Sequence, residues 1–298
     1  MEIMRGTRSG WAAVAGVICI WSGFILVTRK SGLGTLTSWD IGMLRFSVGA
    51  LIAICFLPRV MLPSLRVIVL FSVFGGFGYA LTVYAAFHIA PAAHASVLLP
   101  GTLPFATALI AWLWFGQKPL PRHRLALASV FAGIVMIAAD SLSRNAAITI
   151  PQIAGDVLFL CGSLSWAIFT LLLARYSVQP LAAVVITTLG SAILYLPVWW
   201  FFLPSKLMQA PMVEIVTQGI YQGVLVVFIS MLLYTFAIDR LGLQKVALQM
   251  AFVPVISALA AVPLLGEPIS LLTWGALIAV TMGAILGRHT SARHQLQS

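Results

Sequence analysis

The chain has 298 residues, of which 61% are hydrophobic and 8% are charged. Roughly a quarter of the residues of an ordinary soluble domain are charged, so the composition excludes a soluble protein and indicates an integral membrane protein. The net charge of +10 does not indicate nucleic acid as a partner, because no soluble domain presents the basic residues as a patch. The three cysteines lie within apolar runs, which argues against a disulfide framework.

Ten apolar runs follow one another along the chain, and almost all are about 20 residues long, the length that an α-helix needs to cross a bilayer. The sequence therefore predicts an all-α integral membrane protein with ten transmembrane helices and short connections. The first five predicted spans are Gly10–Thr28, Ser38–Leu57, Leu65–Phe87, Ala92–Phe115 and Arg124–Ala139. The second five are Gly155–Leu173, Leu181–Leu203, Ile215–Ile238, Val246–Leu265 and Leu271–Gly287.

The distribution of basic residues predicts how these spans are oriented. Of the 17 Lys and Arg residues, twelve fall in the N-terminus, the even-numbered connections or the C-terminus, and four fall in the connections on the other side. Cytoplasmic connections carry the excess of basic residues, so both termini are predicted to be cytoplasmic. Arg5 and Arg8 precede the first apolar run, which no small-residue cleavage site follows, and we expect an uncleaved first span.

The two halves of the chain repeat each other. The matching positions include Tyr84 with Tyr234 and Pro104 with Pro254 at an offset of 150, and Trp21 with Trp166 at an offset of 145. Because each half has an odd number of spans, the second half enters the membrane from the opposite side, and the repeats are predicted to be inverted. The predicted units are a first five-helix repeat (1–140), a linker (141–151), a second five-helix repeat (152–288) and a cytoplasmic tail (289–298).

Prolines lie inside the fourth and ninth spans. Proline removes a hydrogen bond from the helix, and a spanning helix tolerates this only where neighbours or a water-filled cavity satisfy the freed carbonyl groups. Pro100 and Pro104 in the fourth span and Pro254 in the ninth therefore predict helix breaks at a central site, where they would take part in gating. The alternative is that these prolines kink the helices without contacting a ligand.

In each half, a third span that contains a tyrosine is followed by an alanine-rich fourth span that a proline interrupts. The fourth span ends in Phe-Gly-Gln-Lys-Pro in the first half and in Leu-Gly-Glu-Pro in the second. In these features, and over essentially its whole length, the chain resembles the EamA-type transporters of the drug/metabolite transporter superfamily. Its length, charge and tryptophan-bearing sixth span are most similar to the YddG-type exporters of aromatic and other apolar amino acids. The resemblance implies a multi-pass protein of the bacterial inner membrane. The family's acidic residue at this position is Glu267 in the second half but Gln117 in the first, so we expect no symmetric role for it.

The acidic residues indicate what kind of solute the pathway accepts. All seven lie at or near the ends of predicted spans, and none lies at mid-membrane. An intramembrane carboxylate is the usual proton relay and the usual partner of a cationic drug. The sequence therefore disfavours a carboxylate-based proton antiporter and an exporter of organic cations. It favours a neutral or zwitterionic solute in a pathway lined by aromatic rings, amides and hydroxyls.

Trp21 and Trp166 are predicted to bind the substrate. Both lie at mid-span, away from the interface where tryptophan is commonest, and an indole there can cover an apolar or aromatic side chain and donate one hydrogen bond. Ser163 lies on the same predicted helix as Trp166 and makes it partly polar, so it is a third predicted binding residue. The alternative is that the two indoles fill space between helices.

Three tyrosines and one glutamine complete the predicted substrate-binding residues: Tyr79, Tyr84, Tyr234 and Gln249. A phenolic hydroxyl buried in hydrocarbon needs a hydrogen-bond partner, which is either a group on a neighbouring helix or a polar group of the substrate. The sequence leaves both possibilities open. Gln249 is predicted to lie at depth in the ninth span.

Arg45 is a basic residue inside a predicted span. It lies six residues after Trp39, roughly 9 Å along a helix that rises 1.5 Å per residue. We expect its long side chain to reach the interface or to pair with Asp40. The alternative is a site for the carboxylate of a substrate.

The sequence thus predicts a transporter that exports neutral, aromatic or other apolar amino acids by alternating access through a central cavity, by facilitated diffusion or exchange. The nearest alternative is a carrier of phosphorylated metabolites or nucleotide sugars, which would need deep Lys or Arg residues facing the cavity. A membrane-embedded enzyme is disfavoured because the sequence has no His-Glu-x-x-His, paired-aspartate or Gly-x-Gly-Asp motif; a lipid-binding scaffold is a further alternative. We predict no catalytic residue, no metal and no cofactor. The predicted partners are an amino-acid substrate and the lipid bilayer, and the sequence leaves the oligomeric state open.

Overall fold

The structure is a computed structural model that describes residues 2–31, 34–90, 95, 98–116, 121–144, 150–265 and 270–288. These residues form helices joined by turns and contain no β-strand, which confirms the all-α prediction for this part of the chain. Gln117 and Glu267 lie outside the described residues, as do positions 145–149 of the predicted linker and the predicted tail at 289–298.

Eleven helices can be followed in the described part of the chain. In the first half they are α1 (Glu2–Ser31), α2 (Ser38–Phe56), α3 (Leu65–Ile89), α4 (Leu103–Phe115) and α5 (Pro121–Arg144). In the second half they are α6 (Ile150–Tyr176), α7 (Pro180–Phe202), α8 (Met212–Leu241), α9 (Leu243–Gln249), α10 (Phe252–Leu265) and α11 (Leu271–Arg288). Short 3₁₀ turns at Leu57–Arg59 and Leu207–Gln209 lie in the connections after α2 and α7.

Six helical stretches of the described chain are long and apolar enough to cross a membrane: Ser38–Arg59, Leu65–Ile89, Ile153–Tyr176, Pro180–Phe202, Met212–Leu241 and Lys245–Leu264. Three shorter apolar stretches lie in α4, α5 and α11: Leu103–Trp114, Arg124–Met136 and Trp274–Gly283. Their number confirms a multi-pass membrane protein. The count of ten spans and the cytoplasmic location of the termini stay predictions.

Local sequence accounts for several helix ends. Thr37 caps α2, because its hydroxyl accepts a hydrogen bond from Asp40 N at 3.1 Å while the Asp40 carboxylate accepts one from Thr37 N at 3.0 Å. Pro180 is the first residue of α7, a position at which a backbone N–H would have no intrahelical acceptor, so its lack of an N–H costs no hydrogen bond. Gly116 ends α4 with a φ of 65°, and Gly242 joins α8 to α9 with a φ of 85°; both are left-handed conformations that glycine adopts without strain.

Helices of the first half pack mainly against helices of the second half. Helix α1 contacts α8 and α10, and α6 contacts α3 and α4, so the first helix of each half lies against the third and fourth spans of the other. Helix α2 packs against α7 and α8, and α5 packs against α11. The centre of the molecule is therefore built by both halves, and a site at that centre draws side chains from each.

Helices α3 and α8 each contain a π-helical segment, at Val73–Phe77 and Gly219–Ile229. Backbone groups of the α3 segment bond to side chains from two other helices. Phe77 N donates to the Ser191 hydroxyl of α7 at 3.1 Å, and the Ser165 hydroxyl of α6 donates to Phe74 O at 2.9 Å. A change in the helical pattern alters the hydrogen bonds of the backbone, and these side chains bond to the backbone groups concerned. Such partners are needed because hydrocarbon contains no water to bond with them.

The outer surface of the helices is strongly apolar. Large exposed side chains include Trp112, Leu113 and Trp114 of α4 and Trp200, Phe201 and Phe202 at the end of α7. A patch of this size on a soluble protein would drive association. On a membrane protein it is the surface that contacts lipid.

Candidate functional site

A cavity lies between the two halves at the middle of the helices. Helices α1, α2, α3, α6, α7 and α8 line it, together with the turn that leads into α4 and the start of α10. The cavity contains about 760 Å³ of space free of atoms, part of it open to the outside. The lining residues are Trp21, Phe24, Arg45, Phe46, Gly75, Tyr79, Ala95, Leu99, Pro100, Leu103, Ser163, Trp166, Thr187, Thr188, Val226, Val227, Met231 and Val253.

Trp166 is at the centre of an aromatic cluster beside the cavity. Its ring centroid lies 5.5 Å from that of Trp21, 5.3 Å from Tyr79, 5.6 Å from Tyr234 and 5.2 Å from Phe169. Such separations are typical of edge-to-face and tilted aromatic pairs, which hold each other in fixed orientations. Trp21, Tyr79 and Trp166 line the cavity, so this side of it is a rigid aromatic wall.

The two indole nitrogens differ in their hydrogen bonds. Trp21 Nε1 donates to the Ser230 hydroxyl at 2.9 Å. Trp166 is 6% exposed, and its buried Nε1 makes no hydrogen bond of good geometry among the described residues, although the Tyr234 hydroxyl lies close enough to interact with it. A buried unpaired donor costs free energy, so Trp166 offers the cavity a hydrogen bond that a bound ligand could accept.

Arg45 lines the cavity, and the prediction that it pairs with Asp40 is wrong. The Asp40 carboxylate instead accepts hydrogen bonds from Trp199 Nε1 at 3.1 Å and from Lys206 N at 2.9 Å, and also from the Ser205 hydroxyl. Arg45 is only 7% exposed, so its guanidinium does not reach the interface either. Its charge lies 5.8 Å from the centre of the Tyr79 ring, and its Nε has no hydrogen-bond partner in the described part of the chain.

Hydroxyl groups add polar character to the lining. Thr187 and Thr188 of α7 are buried, and neither side-chain oxygen has a partner among the residues that the structure describes. Ser163 of α6 accepts a hydrogen bond from the Thr102 hydroxyl at 2.8 Å. None of the described lining residues is acidic, so Arg45 gives this cavity a positive charge.

Five of the predicted site residues line the cavity: Trp21, Tyr79, Pro100, Ser163 and Trp166. The other five are not among its lining residues: Tyr84, Pro104, Tyr234, Gln249 and Pro254. Tyr234 packs against the aromatic wall without lining the cavity. Its ring contacts Trp21 and Trp166, and its hydroxyl lies 3.1 Å from that of Thr170. Tyr84 and Gln249 are buried, and each has a side-chain polar atom without a partner in the described residues.

The chain is broken in the fourth and ninth spans, just before the prolines. Turns at Leu99–Thr102 precede α4, in which Pro104 is the second residue, and Pro100 lies within those turns. In the ninth span the turn at Met250–Ala251 separates α9 from α10, in which Pro254 is the third residue. A proline in the first turn of a helix loses no bond, because the N–H groups there have no intrahelical partner.

Several lining residues were not predicted from the sequence. Arg45 was assigned to the interface, and Thr187, Thr188, Phe24 and Phe46 were not singled out. The adjacent threonines in an otherwise apolar seventh span were a signal that could have identified α7 as a cavity helix. No comparable signal distinguishes Phe24 or Phe46 from the many other apolar residues of these spans.

Comparison with known proteins gives a family and a fold. A model described as the EamA-like transporter family matches residues 8–139 and again residues 153–287. A solved structure described as "Crystal structure of protein" has a TM-score of 0.76 and 20% sequence identity, over 96% of this chain and 99% of that one. At this identity the likeness shows a shared fold and nothing about the solute. A comparison with curated proteins gives no match.

Proposed function

Because this chain belongs to the EamA-like transporter family, whose members are membrane transporters of small solutes, we propose that it exports aromatic or other apolar amino acids across the bacterial inner membrane. The observation that carries this proposal is the aromatic wall formed by Trp21, Tyr79 and Trp166 beside a cavity at the middle of the helices. Aromatic rings bind apolar and aromatic side chains through their faces and edges.

We propose alternating access as the mechanism. Both halves contribute side chains to the cavity, and the contacts of α1 with the second half correspond to those of α6 with the first. Rocking of one half against the other would open the cavity first to one side of the membrane and then to the other. The described lining has no carboxylate to carry a proton, so we expect facilitated diffusion or exchange.

The experiment is uptake of labelled phenylalanine into proteoliposomes that contain the purified protein, with and without an imposed pH gradient. We expect saturable uptake that the gradient does not change and that neutral apolar amino acids compete. Uptake no greater than in empty vesicles would refute this substrate class. Gradient-driven uptake would refute the facilitative mechanism while leaving the substrate class intact.

A carrier of phosphorylated metabolites is the second candidate. Arg45 was expected to be too shallow to serve such a carrier, but it is buried and lines the cavity. The rest of the described lining is mostly apolar and aromatic, and one guanidinium does not neutralise a phosphate dianion. Competition by sugar phosphates but not by amino acids in the same vesicles would favour this candidate.

A further inference from the structure

Among the described residues that line the cavity, one carries a full charge: Arg45. Arg45 is 7% exposed and lines the cavity, and the described residues supply no carboxylate to pair with it. Its neighbours are tyrosines: the Tyr79 ring at 5.8 Å, and Tyr84, whose buried hydroxyl interacts with the guanidinium and has no other hydrogen-bond partner in the described chain. A buried charge without a counter-ion is strongly destabilising. A charge in this state is typical of a site that an ion of opposite sign completes.

Three further polar groups in the same lining lack partners. They are the indole N–H of Trp166 and the hydroxyls of Thr187 and Thr188. All three can donate a hydrogen bond to an oxygen anion, and a guanidinium can donate two in parallel to a carboxylate. Unsatisfied donors and an unpaired cation in one cavity are complementary to an anionic group bearing several acceptor oxygens.

We propose that Arg45 binds the carboxylate of the transported solute, and that the site therefore prefers apolar or aromatic monocarboxylates without an ammonium group to the corresponding zwitterions. The inference rests on the proposed function in one respect: it takes this cavity to be the solute's path. It extends that function, because the preferred class includes carboxylic acids that are not amino acids.

Charge balance decides the order of preference. A monocarboxylate neutralises Arg45 and brings no second charge into the cavity. A zwitterion brings an ammonium group as well, and none of the described lining residues is acidic to receive it. An amine without a carboxylate would place a second cation near the guanidinium, and like charges in a medium of low polarity repel strongly. The expected order is monocarboxylate, then amino acid, with the amine last.

The experiment uses four ligands with the same phenyl ring and different head groups: 3-phenylpropanoate, phenylalanine, 2-phenylethylamine and phenyl phosphate. Equilibrium binding and ligand-dependent thermal shift are measured on the full-length protein in nanodiscs. The variants are Arg45→Gln, which removes the positive charge, and Arg45→Lys, which keeps the charge but lacks the planar guanidinium that can donate two parallel hydrogen bonds. Arg59→Gln is the matched control, because Arg59 lies over the Phe56 ring at 5.4 Å and is not among the residues that line the cavity.

For the unmodified protein we expect tightest binding of 3-phenylpropanoate and weakest binding of 2-phenylethylamine. Arg45→Gln should weaken binding of 3-phenylpropanoate roughly 10- to 150-fold, the range for a hydrogen bond to a charged group, and Arg59→Gln should leave it unchanged. Arg45→Lys should restore part of the affinity. Without ligand, Arg45→Gln should be at least as thermostable as the unmodified protein, since it removes an unpaired buried charge.

The outcomes separate this inference from the proposed function. Binding of the phenyl ligands that is independent of their charge and of Arg45 would overturn the inference and leave the function standing. If the phenyl ligands fail but an aliphatic carboxylate such as 4-methylpentanoate binds in an Arg45-dependent way, the carboxylate site stands and the aromatic substrate class fails. Tighter binding of phenyl phosphate than of 3-phenylpropanoate, or no binding of any of these compounds, would overturn the carboxylate assignment.

Discussion

Trp166 connects the aromatic wall to the polar part of the cavity. Its ring contacts four other aromatic rings, and its N–H is a donor without a partner in the described part of the chain. The side chain therefore has two separable functions in the proposed site, shaping an apolar surface and donating one hydrogen bond. Substitution by phenylalanine removes mainly the hydrogen-bond donor, whereas substitution by alanine removes both the donor and the apolar surface.

We predict that Trp166→Phe weakens substrate binding about 2- to 10-fold, the range for one neutral hydrogen bond, and that Trp166→Ala weakens it further. The measurement is the half-saturation concentration for uptake in proteoliposomes, with folding checked by size-exclusion chromatography. Trp200→Ala is the matched control, because Trp200 is 73% exposed near the end of α7 and is not among the residues that line the cavity. Unchanged uptake by both Trp166 variants would refute the cavity assignment.

At the level of residues, the sequence predicted part of the candidate site. The repeat and the mid-span positions of Trp21 and Trp166 identified two indoles that line the cavity. Arg45 was assigned wrongly because the sequence gives a residue's distance along a helix and does not give the direction in which its side chain points. Two of the groups that bond to Asp40, Trp199 at the end of α7 and Lys206 in the connection after it, lie more than 150 positions later, so local sequence could not show that Asp40 already had hydrogen-bond partners.

At the level of elements, hydropathy predicted the helices well and their interruptions poorly. The second span was predicted at Ser38–Leu57 and α2 covers Ser38–Phe56, since capping and apolar length are local properties. The π-helical segments of α3 and α8 were not predicted. The hydroxyls that bond to the α3 segment belong to α6 and α7, so no local pattern marks this segment in the sequence.

We predict that Ser191→Ala destabilises the protein by about 1–3 kcal/mol, because it leaves the Phe77 N–H buried without its acceptor. Ser191 also donates to Ser72 O at 3.0 Å, so the variant loses two contacts between α7 and α3. The measurement is unfolding by increasing denaturing detergent. Ser47→Ala is the control, because the Ser47 hydroxyl donates only to the sulfur of Met43 within its own helix. Equal stability of the two variants would contradict this account.

We predict that Pro254→Ala slows transport more than it weakens binding. Pro254 is the third residue of α10, just after the turn at Met250–Ala251, and alanine there supplies an N–H and lacks the ring that prevents a helix from continuing. A more continuous ninth span would resist the movement that alternation needs. The measurement is the maximal rate and the half-saturation concentration of exchange, with Pro263→Ala in the same helix as control. Loss of affinity at an unchanged maximal rate would count against a moving break.

At the level of the whole molecule, two carboxylates join the halves at one end. Asp40 of the first half accepts hydrogen bonds from Trp199, Ser205 and Lys206 of the second. Glu214 of the second half accepts them from Thr35 N at 3.1 Å and Leu36 N at 3.2 Å. We name this set of bonds the end clasp. Its bonds to charged acceptors are stronger than neutral ones, and they join the two halves at this end of the molecule.

We predict that Asp40→Asn loosens the end clasp, because an amide has one oxygen to accept bonds where the carboxylate has two. Spin labels on Thr35→Cys and Lys206→Cys, in a background without native cysteines, would report the distance across the clasp. We expect a longer and broader distribution of distances for Asp40→Asn. Asp239→Asn is the control, since Asp239 is exposed beside Arg240. A distribution equal to that of the unmodified protein would show that other contacts close this end.

The edge-to-face contact between Trp21 and Trp166 gives the protein an intrinsic spectroscopic signal beside the cavity. Two indoles with centroids 5.5 Å apart couple their electronic transitions, and the resulting circular dichroism depends on the angle between the rings. A solute that enters beside them is expected to change the polarity around the two rings. The neighbouring indoles Trp199 and Trp200 are not among the residues that line the cavity. Occupancy can therefore be followed in real time on the unlabelled protein.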